Sequence, residues 1–203
     1  MDRRAFAKLA FGGIALAALP RAAARAATQA PSFAGRPYAR LLERAIAAFD
    51  ANPGILRDRV ALADFSVASS DHRFHIVDLV AGQATSYLVA HGRGSDPAHS
   101  GWLQSFSNEP GSLATSGGAY RTGDIYSGIH GMAMRLNGLE WRNNNAEMRA
   151  IVIHGADYAT ENHVAAWGKL GRSEGCFVVP PHLMPQLLNI LGPNRLLYAD
   201  KMI

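Results

Sequence analysis

The chain of 203 residues is 48% hydrophobic and 18% charged, enough apolar material for one well-formed core and too evenly mixed for a disordered segment or a repeat array. Arg3, Arg4, Lys8, Arg21 and Arg25, but only the acid Asp2, precede residue 27, so from Ala27 onward the 20 bases and 16 acids of the whole chain reduce to a balance of signs. The body of the protein therefore carries no electrostatic case for nucleic acid or an anionic membrane surface as a partner.

Residues 1–30 have the order of an export signal: a charged opening from Met1 to Lys8, an uncharged run from Leu9 to Leu19, and alanines around Ala22 to Ala27. The apolar run is roughly half as long as a membrane-crossing helix requires, so no permanent anchor is expected. Arg3-Arg4 followed by Phe6 and Lys8 resembles a twin-arginine signal, which sends folded proteins to the periplasm, and Ala24-Arg25-Ala26 offers a small-x-small cleavage site. No cysteine follows to take a lipid, and residues 31–203 are expected to form one monomeric domain.

In that domain, Leu41, Leu42, Ala45, Ile46 and Phe49 fall at helical spacing between Pro37 and Asp50, and Asn52-Pro53-Gly54 ends the helix. Val60 to Phe65, Phe74 to Asp78 and Thr85 to Ala90 read as strands, the last two closed into a hairpin by Ala81-Gly82. From His91 to Gly123 the chain is rich in Gly, Ser, Pro and Asn without a period, as in a functional loop region. Ile151-Val152-Ile153 reads as a buried strand delivering His154 at its exit. Leu183 to Leu191 reads as a helix stopped by Gly192-Pro193-Asn194, before a last strand from Arg195 to Ala199. The fold class expected is mainly β, with one helix near each end. Asn143-Asn144-Asn145 is expected in a loop, His72 and His75 at the surface, and Tyr126, Trp141 and Trp167 more readily in the core than as substrate platforms.

Cys176 is the only cysteine, so it has no partner for an intrachain disulfide and is either a buried small hydrophobe or a thiol kept free for use. A thiol attacks acyl carbon as thiolate, and an imidazole within reach both takes its proton and returns it to a leaving amine. His154 qualifies for that imidazole. Gly175 permits close backbone approach, so that amide N–H groups near Cys176 can face an oxyanion, and Ser173 on the same turn can orient the imidazole or meet substrate. Glu174 would raise the thiol pKa while Arg172 and a protonated His154 would lower it; a thiolate–imidazolium pair is the expected resting state. His130-Gly131 repeats the His-Gly pattern and is either pocket lining or structural. Asp157 and His163 with His154 and His130 do not make a zinc-ligand pattern, and no metal is expected.

The segments His91-Gly92-Arg93-Gly94, Phe106 to Ser112, Tyr120-Arg121-Thr122-Gly123, Gly128-Ile129-His130-Gly131, Arg149 to Gly155 and Gly171-Arg172-Ser173-Glu174-Gly175-Cys176 together resemble a variant branch of the murein L,D-transpeptidase (YkuD-like) catalytic domain family, from about Val60 to the C-terminus. The resemblance implies a β-sandwich or barrel without a cofactor, acting on peptidoglycan stem peptides. It further implies Cys176 as nucleophile, His154 as base, and Ser173 and Gly175 as the surrounding turn; beside these, Gly155 is expected to support the turn and oxyanion, and His130, Arg172 and Tyr126 to contact substrate. Two departures stand out: the common form has His before the Gly-Cys and Arg two residues after the Cys, where this chain has Glu174 and Val178. Arg172, Arg121 and Arg135 are the candidates to hold a substrate carboxylate instead. The implied activity is a cysteine acyltransferase; the alternatives are a carboxypeptidase or amidase on the same site and a non-catalytic wall-binding domain.

Overall fold

The computed structural model describes residues 31–202, so the export signal expected over 1–30 lies outside the described residues. Eleven main elements follow in chain order: α1 (Ala39–Ala51), β1 (Arg59–Asp64), β2 (Phe74–Asp78), β3 (Gln83–Tyr87), β4 (Gly118–Gly128), β5 (Gly131–Gly138), β6 (Val152–Gly155), α2 (Glu161–Trp167), β7 (Phe177–Val179), α3 (Met184–Leu191) and β8 (Leu196–Asp200). The strands form a single sheet in the order β3-β2-β1-β8-β4-β5-β6-β7. The sheet curls until its two edges nearly meet: the chain leaving β3 pairs Ala90 with Val178 of β7, whose N–H and C=O groups bond at 3.3 and 2.8 Å. A closed edge leaves fewer backbone groups to recruit a foreign strand.

The central pair β1 and β8 is parallel and buried on both faces, which is why both read as continuous apolar runs. On the outer face, Val60, Leu62, Leu196 and Tyr198 meet the stripe Leu41, Leu42, Ala45 and Phe49 of α1. Towards the interior, Ala61, Ala63, Leu197 and Ala199 join Phe65, Tyr120, Phe177 and the buried face of α3, Leu187, Leu188 and Leu191. No described helix is long and apolar enough to cross a membrane.

The mainly β class and the helix near each end agree with the sequence reading, and the β2–β3 hairpin is antiparallel with Phe74 opposite Tyr87. Four features differ. β4 begins inside the stretch read as loop and forms with β5 a long hairpin whose outer half projects beyond the sheet; with Asp124, Ile125 and Ser127 to His130 exposed, this part has no buried face to impose an alternating pattern. Helix α2 buries none of its residues and β7 has three, so neither has a periodic signature. Trp141 and Trp167 are 83% and 70% exposed rather than core, one on the turn after β5 and the other on solvated α2. His75 is buried rather than superficial, because the ring of Tyr38, just before α1, lies tilted against it with centroids 4.9 Å apart and Ser86 Oγ lies 2.7 Å from its Nδ1.

A charged cluster holds the segment that leaves β3. Arg73 is fully buried; its Nε and Nη2 donate to the Val89 carbonyl at 3.1 and 2.9 Å, its Nη1 donates to the Val67 carbonyl, and its Nη2 donates to His91 Nδ1 at 2.7 Å. The opposite ring nitrogen, Nε2, lies 3.5 Å from Asp96 Oδ2. Burial, reinforced by the Arg73 charge, pushes His91 down to about 3, so the ring is neutral in the folded protein. The His91 carbonyl then accepts the Ser173 N–H at 2.9 Å and the Ser173 carbonyl accepts the Arg93 N–H at 2.7 Å, which lays residues 91–93 beside the turn that carries Cys176.

Arg73→Leu leaves His91 Nδ1 and the Val67 and Val89 carbonyls without their donor and is expected to cost about 3–5 kcal/mol in urea unfolding. Because His91 and His75 both have folded pKa values pushed below their ordinary range by burial, the unfolded chain binds more protons in acid. Stability is therefore full above about pH 6.5 and falls as pH drops below it, by up to about 1.4 kcal/mol per pH unit for each such histidine. Urea titrations at pH 7.5 and pH 5 on the wild type and on His91→Gln, which lacks that proton uptake, measure the contribution.

Candidate active site

Parallel pairing of β6 with β7 sets Ile153 opposite Phe177 and His154 opposite Val178, so residues 22 apart in sequence reach one end of the sheet together. There a cleft of about 590 Å³ opens, and its walls include Cys176, His154, His130, Tyr126, Arg172 and Ser173. The nominated side chains thus converge on one cavity, to which the structure adds Arg149, Ala150, Val152 and Tyr158.

His154 is almost fully buried and stacks on His130, which the two-residue tip of the β4–β5 hairpin carries to it, with ring centroids 4.3 Å apart. Its Nδ1 lies 3.1 Å from the Gly155 carbonyl, an arrangement in which Nδ1–H donates and Nε2 is left as the basic nitrogen. Burial first, and the His130 charge with it, pushes His154 below the ordinary imidazole range, against the hydrogen bond to Gly155. Gly155 also admits the turn leading into α3: a Cβ there would lie 2.7 Å from Pro181 Cα.

Cys176 is half-buried, its thiol 3.6 Å from the Ala150 carbonyl. Burial raises its pKa; the Val152 N–H and the Arg149 charge oppose that, while Glu174 adds to it. Burial thus works against the thiolate and the imidazolium alike, and so against the ion pair expected from sequence. The reason is desolvation, which penalises both charged forms in a cleft walled by Ala150, Val152 and Tyr158. Glu174 does turn outward: its carboxylate meets Arg93 at 2.7 Å, an exposed pair worth little in stability.

The turn before the thiol is braced from within. Ser173 Oγ donates to the Cys176 carbonyl at 2.7 Å and accepts the Gly175 N–H at 3.2 Å, so the hydroxyl serves the turn and not the imidazole. Gly175 has φ +123°, and a Cβ there would sit 2.9 Å from the Ala114 carbonyl oxygen; only glycine fits.

Among the arginines considered as carboxylate holders, Arg172 lines the cleft but spends its Nη1 on the Asp96 and Pro97 carbonyls. Arg135 lies over the Tyr126 ring at 4.6 Å, and Arg121 is exposed on β4; neither lines the cleft. The arginine on the wall beside Cys176 is Arg149, which sequence reasoning placed only within the segment Arg149 to Gly155 and gave no role.

A sequence profile described as the L,D-transpeptidase catalytic domain matches residues 38–199. No curated protein matches the chain. Solved structures with a similar fold include an L,D-transpeptidase from Mycobacterium smegmatis (13% identity, TM-score 0.42, covering 70% of this chain and 58% of that one), the helical cell shape determining protein Pgp2 from Campylobacter jejuni (13%, 0.46, 78% and 54%) and the Enterococcus faecium L,D-transpeptidase (12%, 0.44, 71% and 50%). The chain spans between 50% and 58% of the length of these structures.

Gly175→Ala combines left-handed strain with a clash against backbone. It is expected to cost about 2–3 kcal/mol and to lower the melting temperature, as differential scanning calorimetry would show.

Proposed function

Because the chain belongs to the L,D-transpeptidase catalytic domain family, we propose that it is a periplasmic cysteine acyltransferase acting on peptidoglycan stem peptides, exported by the twin-arginine signal in residues 1–30. The observation that carries this reading is the shared cleft of Cys176 and His154, with the imidazole's free nitrogen set by the Gly155 carbonyl. Because burial disfavours both charged forms, general-base attack suits the pair: the imidazole takes the thiol proton as the sulfur attacks.

The chemistry then runs as follows. Cys176 attacks the carbonyl carbon of the diaminoacyl residue while His154 Nε2 takes the thiol proton. The tetrahedral intermediate collapses, the C–N bond to the terminal D-amino acid breaks, and the imidazolium returns the proton to the departing amine. The peptide remains as a thioester on Cys176. An incoming amine attacks that carbonyl, His154 accepts the amine's proton, and the C–S bond breaks to give a new amide and, on return of the proton, the thiol. Water in place of the amine gives a carboxylic acid and makes the same site a hydrolase. Tyr126, His130 and Arg172 are proposed as the substrate-facing walls. Gly175 and Ser173 hold the turn from which backbone N–H groups meet the oxyanion.

Intact-mass spectrometry of the mature protein with a diaminopimelate-containing tetrapeptide muropeptide, with and without a D-amino acid, tests the reading. An acyl adduct on Cys176 and exchange of the terminal D-alanine for the added amino acid are expected. Tripeptide as the only product would make the protein a hydrolase, and absence of any reaction would remove the proposal. Cys176→Ala should form no adduct, and His154→Ala should lower kcat/KM by about 10²–10⁴ with an unchanged circular dichroism spectrum.

The pH profile gives a separate handle. His154 must be unprotonated to act, and its lowered pKa places the acid limb of kcat/KM below the ordinary imidazole range. His130→Ala removes both the stacked ring and its charge, and should move that limb to higher pH; an unmoved limb would separate His130 from the titration of His154.

A further inference from the structure

Arg149 stands where the chain turns into β6, one residue before Ala150, which holds the left-handed φ of 52° and whose carbonyl touches the thiol. Its Nη1 donates to the Ser107 carbonyl at 2.7 Å and to Ser116 Oγ at 2.8 Å, and its Nη2 donates to Ser112 Oγ at 3.2 Å and the Ala114 carbonyl at 2.5 Å. All four acceptors are neutral, and among the described residues no carboxylate lies within ion-pair distance of it. The same Nη2 lies 3.4 Å from where a Cβ on Gly175 would be, so the guanidinium is held against the residue that precedes the nucleophile.

The other charged and titratable groups around the sulfur are placed differently. Glu174 is paired outward with Arg93, Arg172 is bonded to the 96–97 carbonyls, Tyr158 lines the wall, and His154 and His130 form the stack opposite. A fixed cation surrounded by neutral acceptors, in a half-buried site, keeps its field instead of losing it to a counter-charge or to bulk water.

We propose that Arg149 is an electrostatic positioning residue for the nucleophile: its guanidinium, clamped against Gly175 by residues 107–116, supplies the positive charge opposite which the Cys176 thiolate forms. The inference rests on Cys176 being the nucleophile of the reading above. It assigns to a residue from outside the Gly-Cys turn the fixed positive charge that the turn, with Val178 two residues after the cysteine, does not itself provide.

The test is the rate of alkylation of Cys176 by iodoacetamide as a function of pH, which needs no peptidoglycan and is read whether or not the protein transfers acyl groups. Arg149→Met is expected to move the midpoint up by about one pH unit, and so to slow alkylation about tenfold at any fixed pH below it, while Arg149→Lys keeps most of the wild-type midpoint. A midpoint unchanged in Arg149→Met, or shifted equally in Arg149→Lys and Arg149→Met, would overturn the proposal and leave Arg149 as a loop clamp. Arg149→Gln, which keeps an amide donor for the 107–116 carbonyls but carries no charge, covers the case in which Arg149→Met fails to fold. Its midpoint is expected to rise like that of Arg149→Met, and a wild-type midpoint there would overturn the proposal.

Discussion

A guanidinium sealed from water has to be solvated by the chain itself, and the placing of Arg73 at the start of β2 makes this demand on one particular segment. Val67, Val89 and His91 meet it, and in doing so they pin the chain that leaves β3 to a single path across the open end of the sheet. That path gives Ala90 to β7 and the His91 and Arg93 backbones to Ser173. The turn bearing Cys176 is thus flanked on one side by the β6–β7 ladder and on the other by a segment whose position depends on a buried charge. Neither flank alone would fix the sulfur: β7 is three residues long and residues 91–93 form only an isolated bridge.

The cleft that results is shaped as much by what it withholds from its titratable groups as by what it provides. Burial disfavours the thiolate and the imidazolium alike, so a proton moving from sulfur to imidazole does so against desolvation. Hydrogen bonds set the direction of that movement. The Gly155 carbonyl determines which imidazole nitrogen is basic, and the Val152 N–H favours charge on the sulfur. Ser173, which from its position beside the thiol looked available to the imidazole, is instead fully occupied in holding the Cys176 carbonyl and the Gly175 amide in a tight turn.

How far this was legible in the sequence follows from where periodicity survives. Helix α1, β2, β6 and α3 each bury one definite face or are buried almost throughout, and their apolar residues mark them out. The β4–β5 hairpin was not visible because its outer half projects into solvent, where neither face is selected, and α2 left no trace because it buries nothing. At the cleft, the side chains that carry distinctive chemistry, Cys176 and His154 with His130 and Arg172, were found to share one cavity as their motifs suggested. The surroundings of Arg149 and His75 were not legible, for a common reason. The environment of each is created by chain far away in sequence, residues 107–116 for one and Tyr38 for the other, and no local pattern encodes such a neighbour.

The glycines near the thiol bear on how this domain can vary. A Cβ on Gly92 would lie 2.8 Å from the backbone nitrogen of Gly175, and one on Gly175 would lie 2.9 Å from the Ala114 carbonyl oxygen. Three stretches separated by some twenty and sixty residues are therefore in backbone-to-backbone contact, with no side chain between them to absorb a change. A substitution in one is tolerated only with a matching displacement of the other two, so residues 92–94, 112–115 and 173–176 behave as one heritable block. A chimera that takes its cysteine turn from one relative has to take the two loops beneath it from the same parent.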